Sequence, residues 1–300
     1  MTVHGLTVLY PDTEWPAAAP PMLRLWDCGV EWASVNPAPG VYDWTRLDRL
    51  VARAKAAGVR RIIYTLAVTP PWAASKGKQA EQAPWLPEGS NRPPADLVVW
   101  EQFVTALVTR YRGRINAYQI WNEPQLRWFW APESFDVLAE MTRRAARIVH
   151  LLDRSALVVA APVLPRPSSG GMRRGGRYLS ALKGRGWNVD VWSAHLYPEE
   201  GEPPARWREF CQEWARTLVE LRAPKRPRWV TETNANLMCG PLPVGQQGGY
   251  VRRVAQIAEA ERIGAVVWYA FGHHTDPAVL GVPFVEGSPG MAALEAIWKG

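Results

Sequence analysis

Short hydrophobic runs alternate, from one end of the chain to the other, with segments whose apolar residues recur every three or four positions. This alternation predicts strand–helix units around a parallel sheet, because strands covered on both faces are nearly continuous hydrophobic runs. Eight strands are predicted, at residues 6–10, 22–26, 61–68, 116–122, 157–162, 189–195, 228–232 and 265–271.

The segments between the strands carry helical stripes such as Trp100, Phe103 and Leu107, which predict amphipathic helices packed on the sheet. Asp43 and Gly58 bracket one of these helices as its expected caps. Between the first two strands there is only a stretch rich in proline and alanine, which is too short and too broken for a full helix.

Eight strands and about seven helices in 300 residues indicate an α/β protein with a closed (β/α)8 TIM barrel. We expect one domain over residues 1–300, with a shortened first βα unit. The alternative is an open doubly wound sheet. It is disfavoured because no glycine-rich phosphate loop follows the first strand.

Composition narrows the range of functions. The three cysteines are odd in number and lack metal-ligand spacing, so neither a disulfide scaffold nor a zinc site is expected, and no metal or other cofactor is predicted. The net charge is +7, and a predicted basic loop at residues 166–177 holds four arginines. That loop could attract an acidic polymer, but a solvated connection is favoured over a nucleic-acid platform because no aromatic residues interleave the arginines.

The chain has no apolar run of 18 residues and no charged-then-apolar leader pattern at its start. We therefore expect a soluble monomer without membrane contact, either cytoplasmic or secreted after loss of a leader.

Two predicted strands end in a glutamate. Trp121-Asn122-Glu123-Pro124 places a carboxyl group where the proline stops the strand, and Glu232 ends a second strand 109 residues later. The indole of Trp121 could stack on a sugar ring, and the amide of Asn122 could bind a hydroxyl. Two such carboxyl groups are what the cleavage of a glycosidic bond requires. Taken singly, either glutamate could instead be a strand-end residue in a salt bridge.

These residues resemble the clan of retaining glycoside hydrolases that carry the acid/base on strand four and the nucleophile on strand seven. The resemblance covers essentially the whole chain and is strongest to glycoside hydrolase family 39, the xylosidase and iduronidase family with its exopolysaccharide-cleaving relatives. It rests on Trp121-Asn122-Glu123-Pro124, on residues 39–44 (PGVYDW) and on residues 66–73 (LAVTPPWA). Families 5 and 10 share the strand-four motif, so the clan is better defined than the family.

The resemblance implies roles for particular residues. Glu123 matches the general acid/base, Glu232 the nucleophile, and Asn122 the asparagine that contacts the sugar 2-hydroxyl. Arg24 matches an arginine that lies beside the nucleophile. His195 and Tyr197 match a strand-six pair whose tyrosine touches the nucleophile, and Trp268 matches the aromatic floor of the subsite for the reacting sugar. A strand-one contribution, from His4 or Tyr10, stays open.

The expected reaction is a double displacement in which Glu232 is ionised and Glu123 is protonated. Among the 17 tryptophans, several lie in predicted loops and would either stack on sugars or pack the loops onto the barrel; Trp72, Trp85, Trp128 and Trp130 are the candidates for an extended cleft and endo action. The substrate would be an oligo- or polysaccharide, acidic sugars included. A non-hydrolytic carbohydrate-binding barrel and a transglycosylase remain alternatives, and His273 and His274 could line the cleft or lie on a surface loop.

Overall fold

A computed structural model of the chain describes residues 1–77, 81–165, 171–198, 203–234, 244–272 and 284–300. It contains all eight predicted strands, each parallel to its neighbours: β1 Val3–Val8, β2 Met22–Leu25, β3 Arg61–Leu66, β4 Ala117–Ile120, β5 Leu157–Val159, β6 Trp192–His195, β7 Arg228–Thr233 and β8 Ala265–Phe271. The bounds differ most at β1, which begins three residues before its predicted start, at β5, which ends three residues before its predicted end, and at β6, which begins three residues after its predicted start.

The strands follow the order β5-β4-β3-β2-β1-β8-β7-β6, so β5 and β6 are the two ends of the ladder. Isolated parallel bridges join these ends, pairing Val159 with Val191 and Val163 with Ala194. The backbone amide of Ala160 also donates to the carbonyl of Val191 at 2.9 Å. The sheet therefore closes into the predicted (β/α)8 barrel.

Helices surround the barrel: α1 Trp32–Val35, α2 Thr45–Ala56, α3 Leu97–Tyr111, α4 Asp136–Leu152, α5 Gly171–Gly184, α6 Arg206–Glu220, α7 Val244–Ala260 and α8 Pro289–Lys299. Residues 9–21 contain no helix, which confirms the shortened first unit. Asp43 lies one position before the N-cap of α2 and accepts a bond from the Thr45 amide, while Gly58 ends the helix with a φ of 90°. Among the described residues, no helix is both long enough and apolar enough to cross a bilayer.

The predicted basic loop at residues 166–177 is wrong in its second half, because α5 begins at Gly171. Residues 166–170 lie outside the described part. Helix formation at a glycine-rich segment reflects tertiary packing: a Cβ on Gly175 would meet Val163 at 3.3 Å, and the guanidinium of Arg174 lies over the ring of Phe135. This packing overrides the poor helix propensity of glycine.

Inside the barrel, side chains form layers because successive residues of a strand point to opposite faces. An apolar floor contains residues from β2 to β8, namely Met22, Ile63, Ala117, Val159, Val191, Trp229, Ala265 and Val267. Two positions further along their strands come buried polar residues: Arg24, Thr65, Gln119, Ser193 and Thr231. This polar layer supports the mouth of the barrel, where both glutamates lie.

Candidate active site

Glu232 reaches the barrel mouth through an irregularity in β7. Val230 and Thr233 pair with Val266 and Trp268 of β8, so β7 holds one extra residue between them. Such a bulge bends a strand and re-aims its side chains. It allows Thr231 to bond inside the polar layer while the next residue, Glu232, meets Arg24.

Two donors hold the Glu232 carboxylate. The Nη1 atom of Arg24 lies 2.5 Å from Oε1, and the hydroxyl of Tyr197 donates to Oε2 at 2.9 Å. All three side chains are buried. Both contacts are hydrogen bonds of the kind that a carboxylate accepts, and the guanidinium also supplies a charge of opposite sign. The sequence-based positions of Arg24 and Tyr197 beside Glu232 therefore agree with the geometry.

Glu123 follows β4 on a distorted backbone. Trp121 and Glu123 have positive φ values of 71° and 37°, which are uncommon for residues with a Cβ and are frequent at functional sites. The side chain is only 12% exposed, and its Oε1 lies 2.7 Å from Nδ1 of His195. A strand end, two left-handed residues and a histidine thus fix the second carboxyl group.

His195 lies between the two glutamates. Its Nδ1 is 2.7 Å from Oε1 of Glu123 and 3.3 Å from Oε2 of Glu232. One carboxylate oxygen of each glutamate and one ring nitrogen of His195 all lie within 4.8 Å of one another. Burial lowers the pKa of His195 to about 3, outweighing the nearby Glu232 charge, so the imidazole is neutral at physiological pH. A neutral ring shares one proton with Glu123, either donating from Nδ1 or accepting from the carboxyl group.

Arg24 connects the nucleophile side of the site to its surroundings. Besides Glu232, its Nη2 donates to Oδ1 of Asn122 at 2.9 Å and its Nε donates to Oε1 of Gln119 at 2.8 Å. Because Arg24 can only donate, it fixes the amide of Asn122 with the oxygen towards the guanidinium. The Asn122 nitrogen is then the group left to donate to a ligand.

Gln119 is a supporting residue that the sequence analysis missed. Its Nε2 donates to Oγ of Ser193 at 3.0 Å and to Oγ1 of Thr231 at 2.8 Å, so one amide ties β2, β4, β6 and β7 together. The available signal was a polar residue at an alternate position of an otherwise apolar buried strand, Ala117–Ile120. A buried polar group at such a position needs partners, and those partners hold Arg24 in place.

Asp27 and Tyr269 were also missed. The hydroxyl of Tyr269 donates to Oδ2 of Asp27 at 2.7 Å, and both side chains interact electrostatically with Glu232 and Arg24. Burial raises the pKa of Asp27 to about 7, and the negative charges of Glu31 and Glu232 add to the increase. The carboxyl group therefore titrates near neutral pH at the mouth of the barrel.

The assignment of Trp268 to the floor of the reacting subsite is wrong. Trp268 is 0% exposed and lies on the helix-facing side of β8, where its ring contacts Tyr250 and Phe284. Its neighbour Tyr269 shares the barrel-facing side with Val267, since side chains alternate along a strand. His4 is likewise buried against Trp268, which removes it as a strand-one contribution.

The tryptophans that the sequence singled out differ in their exposure. Trp121 and Trp130 are buried and pack edge to face at 5.2 Å, so neither indole stacks on a sugar as the sequence suggested. Trp72 donates to the backbone carbonyl of Asn36, a contact that anchors its loop, and its role in sugar binding remains a prediction. Trp85 and Trp128 are exposed. His273 and His274 lie outside the described residues.

Glu123, His195 and Glu232 are also a possible set of metal ligands by their mutual distances. Their atoms are engaged with one another, however, since Nδ1 of His195 contacts both carboxyl groups. A cation bound to Glu232 would also lie beside the guanidinium of Arg24, where like charges repel. The geometry is that of a hydrogen-bonded acid/base network.

Residues 27–93 match the model of glycoside hydrolase family 42, described as beta-galactosidase. The matched segment runs from Asp27 into the loop after β3 and includes two of the three motifs on which the sequence resemblance rests.

Solved structures share the fold over nearly the whole chain. A glucosidase from Croceicoccus marinus has a TM-score of 0.74 at 16% identity, with 99% of this chain and 66% of that chain covered. A family 39 β-xylosidase from Caulobacter crescentus has a TM-score of 0.71 at 18% identity, with coverages of 100% and 71%. Xylanase 10B from Thermotoga maritima has a TM-score of 0.69 at 15% identity, with coverages of 99% and 95%.

The chain thus spans about two thirds of the length of the glucosidase and nearly all of the xylanase. At these identities the likeness establishes the fold. The neighbours named here are glycoside hydrolases, and families 39 and 10 of the same (β/α)8 clan are among them. The resemblance inferred from the sequence is confirmed at that level.

Proposed function

We propose that this chain is a single-domain retaining glycoside hydrolase that cleaves an oligo- or polysaccharide by double displacement. One observation carries the proposal: carboxylate oxygens of Glu123 and Glu232 lie within 4.8 Å of each other at the C-terminal ends of β4 and β7. Retaining enzymes need carboxyl groups about 5 to 5.5 Å apart, whereas inverting enzymes need about 6.5 to 9.5 Å to admit a water molecule.

Glu232 is the nucleophile in this proposal. Arg24 and Tyr197 donate to its two oxygens, which complements the carboxylate charge and fixes the direction of attack. Attack on the anomeric carbon breaks the glycosidic bond and forms a glycosyl ester with Glu232. Water then attacks the same carbon, and the carboxylate is released.

Glu123 is the general acid and then the general base. It protonates the leaving oxygen in the first step and removes a proton from water in the second. Neutral His195, 2.7 Å from Glu123, positions this carboxyl group in either protonation state, because its ring can accept from the acid or donate to the base. The amide nitrogen of Asn122 is placed to bind a sugar hydroxyl beside the reacting carbon.

The charges of the described site favour a neutral reacting sugar. Glu123, Glu232, Asp27 and Glu31 are acidic, and Arg24, the cation that contacts Glu232, is already bonded to that carboxylate. A sugar carboxylate would meet net repulsion there. The overall charge of +7 therefore gives little support to an acidic sugar at the point of cleavage.

The decisive experiment is chemical rescue. We expect Glu232→Ala to lose essentially all turnover of a 4-nitrophenyl glycoside, and azide to restore release of the phenol with an inverted glycosyl azide. NMR of the first-formed product of the wild type should show retained anomeric configuration. Wild-type turnover by Glu232→Ala, or an inverted wild-type product, would refute the mechanism. The exposed residue Val219, changed to alanine, serves as the control.

The alternatives differ in measurable ways. A non-hydrolytic binding barrel would bind glycans without turnover over days, and the paired carboxyl groups speak against it because that function does not need them. A transglycosylase would use the same intermediate with a sugar as acceptor. Product analysis with and without added acceptor sugar separates transfer from hydrolysis.

A further inference from the structure

Two tryptophan side chains are exposed on loops that follow β3 and β4, at the end of the barrel that carries the proposed site. Trp85 is 55% exposed and Trp128 is 40% exposed, and their rings pack edge to face with centroids 6.1 Å apart. Trp85 belongs to the loop between β3 and α3, and Trp128 to the loop between β4 and α4. Large apolar side chains that remain exposed in a cluster commonly mark a binding surface.

The two loops that carry these rings are joined to each other by hydrogen bonds. The buried amide of Asn91 donates to the carbonyls of Glu81 and Arg127 at 3.0 Å each. The indole of Trp128 donates to Oε1 of Glu81 at 2.5 Å. A preformed surface of this kind binds with a smaller loss of conformational entropy than a flexible one.

The loop that carries Trp128 also carries Glu123, the proposed acid/base. Trp128 follows Glu123 by five residues, which limits the separation of their Cα atoms to about 18 Å. The backbone amide of Leu126 donates to the Glu123 carbonyl, and the indole of Trp121 donates to the carbonyl of Phe129. The exposed pair is thus connected through a turn and a bonded loop to the catalytic carboxyl group.

We propose that Trp85 and Trp128 form a sugar-binding subsite beyond the reacting sugar, which stacks on one unit of the carbohydrate chain. This inference rests on the proposed function. An indole offers a flat apolar surface that matches the C–H face of a pyranose ring and an N–H that can hydrogen-bond at its edge. Here the Trp128 N–H is already bonded to Glu81, so the pair contributes apolar faces and the Glu81 carboxylate can accept from sugar hydroxyls.

A comparison of long and short substrates tests the subsite. Trp85→Ala and Trp128→Ala are assayed on xylan, a β-glucan and a galactan, and on the 4-nitrophenyl glycosides of the same sugars. For the sugar that the wild type cleaves, we expect each variant to lose about tenfold in kcat/KM on the polysaccharide and less than twofold on the aryl glycoside. Trp128→Phe should recover part of the loss, and Val219→Ala should lose nothing.

Binding is measured separately in the Glu232→Gln background by affinity electrophoresis in gels that contain each polysaccharide. Retardation that disappears in the Trp85→Ala and Trp128→Ala versions supports the subsite even if the wild type cleaves no glycan, so the two proposals can fail independently. Unchanged polysaccharide cleavage and unchanged retardation in both variants would overturn the inference. Equal losses on polysaccharide and aryl glycoside would also overturn it, since they would show an effect on the catalytic groups.

Discussion

Arg24 and Glu232 are 208 residues apart in the sequence and 2.5 Å apart in the structure, guanidinium nitrogen to carboxylate oxygen, with both side chains buried. The same guanidinium donates from Nε to Gln119 and from Nη2 to Asn122. A buried ion pair of this kind must have its other donors satisfied, because desolvation otherwise exceeds the Coulombic gain. The polar layer of the barrel meets that requirement.

Replacing Arg24 tests this arrangement. We expect Arg24→Met to leave Glu232 buried without its counter-charge, which should lower the free energy of unfolding by about 3 to 5 kcal/mol. Turnover should fall at least a hundredfold, since the nucleophile would lose the hydrogen bond and the counter-charge that hold its carboxylate in place. Arg24→Lys should keep the positive charge but not all three hydrogen bonds, so its stability and turnover should lie between those of the wild type and of Arg24→Met. Urea unfolding and aryl glycoside kinetics measure both effects; an active and stable Arg24→Met variant would contradict them.

Gln119 should act on catalysis only through Arg24. We expect Gln119→Leu to cost about 2 to 3 kcal/mol of stability, because Arg24, Ser193 and Thr231 each lose a bonding partner in a buried place. The kcat should fall with little change in KM, as Gln119 lies below the mouth of the barrel. Gln212, exposed on α6, changed to leucine is the matched control. A change confined to KM would show that Gln119 contacts the substrate instead.

His195 predicts a pH dependence of stability. Its pKa in the folded protein is lowered to about 3, below the ordinary value of 6.5, so the unfolded chain takes up the proton first as the pH falls. The stability that depends on neutral His195 is complete above about pH 6.5 and is lost on acidification towards pH 3. Between pH 6.5 and 4.5 this loss amounts to about 2 to 3 kcal/mol.

The corresponding measurement compares unfolding free energies of the wild type and of His195→Asn at pH 7 and at pH 4.5. The unfolding free energy of His195→Asn should decline less than that of the wild type, by about 2 to 3 kcal/mol. Equal declines in the two proteins would show that His195 is not held neutral by the fold. His4, whose pKa burial lowers to about 4, contributes a separate decline that both proteins share.

The raised pKa of Asp27 predicts a stability contribution that changes with pH in the opposite direction. Its folded pKa is raised to about 7 from an ordinary value near 3.8, so its unfavourable contribution is absent below about pH 4 and complete above about pH 7. We expect Asp27→Asn to stabilise the protein at pH 8 by at most about 4 kcal/mol and to have no effect near pH 4. The asparagine oxygen can still accept from Tyr269. Thermal unfolding of both proteins at pH 4 and pH 8 measures this difference. An effect of the substitution that does not change with pH would contradict the raised pKa of Asp27.

Local pattern predicted the frame of this protein well. The eight strands, the shortened first unit and the alternation with helices follow from hydrophobic runs and from residues such as Gly58 that stop helices. Glu123 and Glu232 could be singled out because each ends a predicted strand, and strand ends at one edge of a parallel barrel meet. These properties depend on a residue and its near neighbours, which a sequence displays directly.

Side-chain direction could not be predicted in the same way. Trp268 and Tyr269 are adjacent and both aromatic, and only the barrel register decides that Trp268 faces the helices and Tyr269 the interior. An extra residue in β7 likewise changes the alternation just before Glu232. One residue of register reverses every side chain, so small irregularities defeat an argument from spacing.

A (β/α)8 barrel with two strand-end glutamates can be predicted from the amino-acid sequence alone, because hydrophobic periodicity and chain-stopping residues act locally. Three further features depend on the folded chain: those glutamates lie within 4.8 Å of each other, Gln119 and Arg24 support them, and Trp121 is buried while Trp85 and Trp128 are exposed. Such relationships join segments that lie far apart in the sequence, and they are fixed by barrel closure and by the need of buried polar groups for partners.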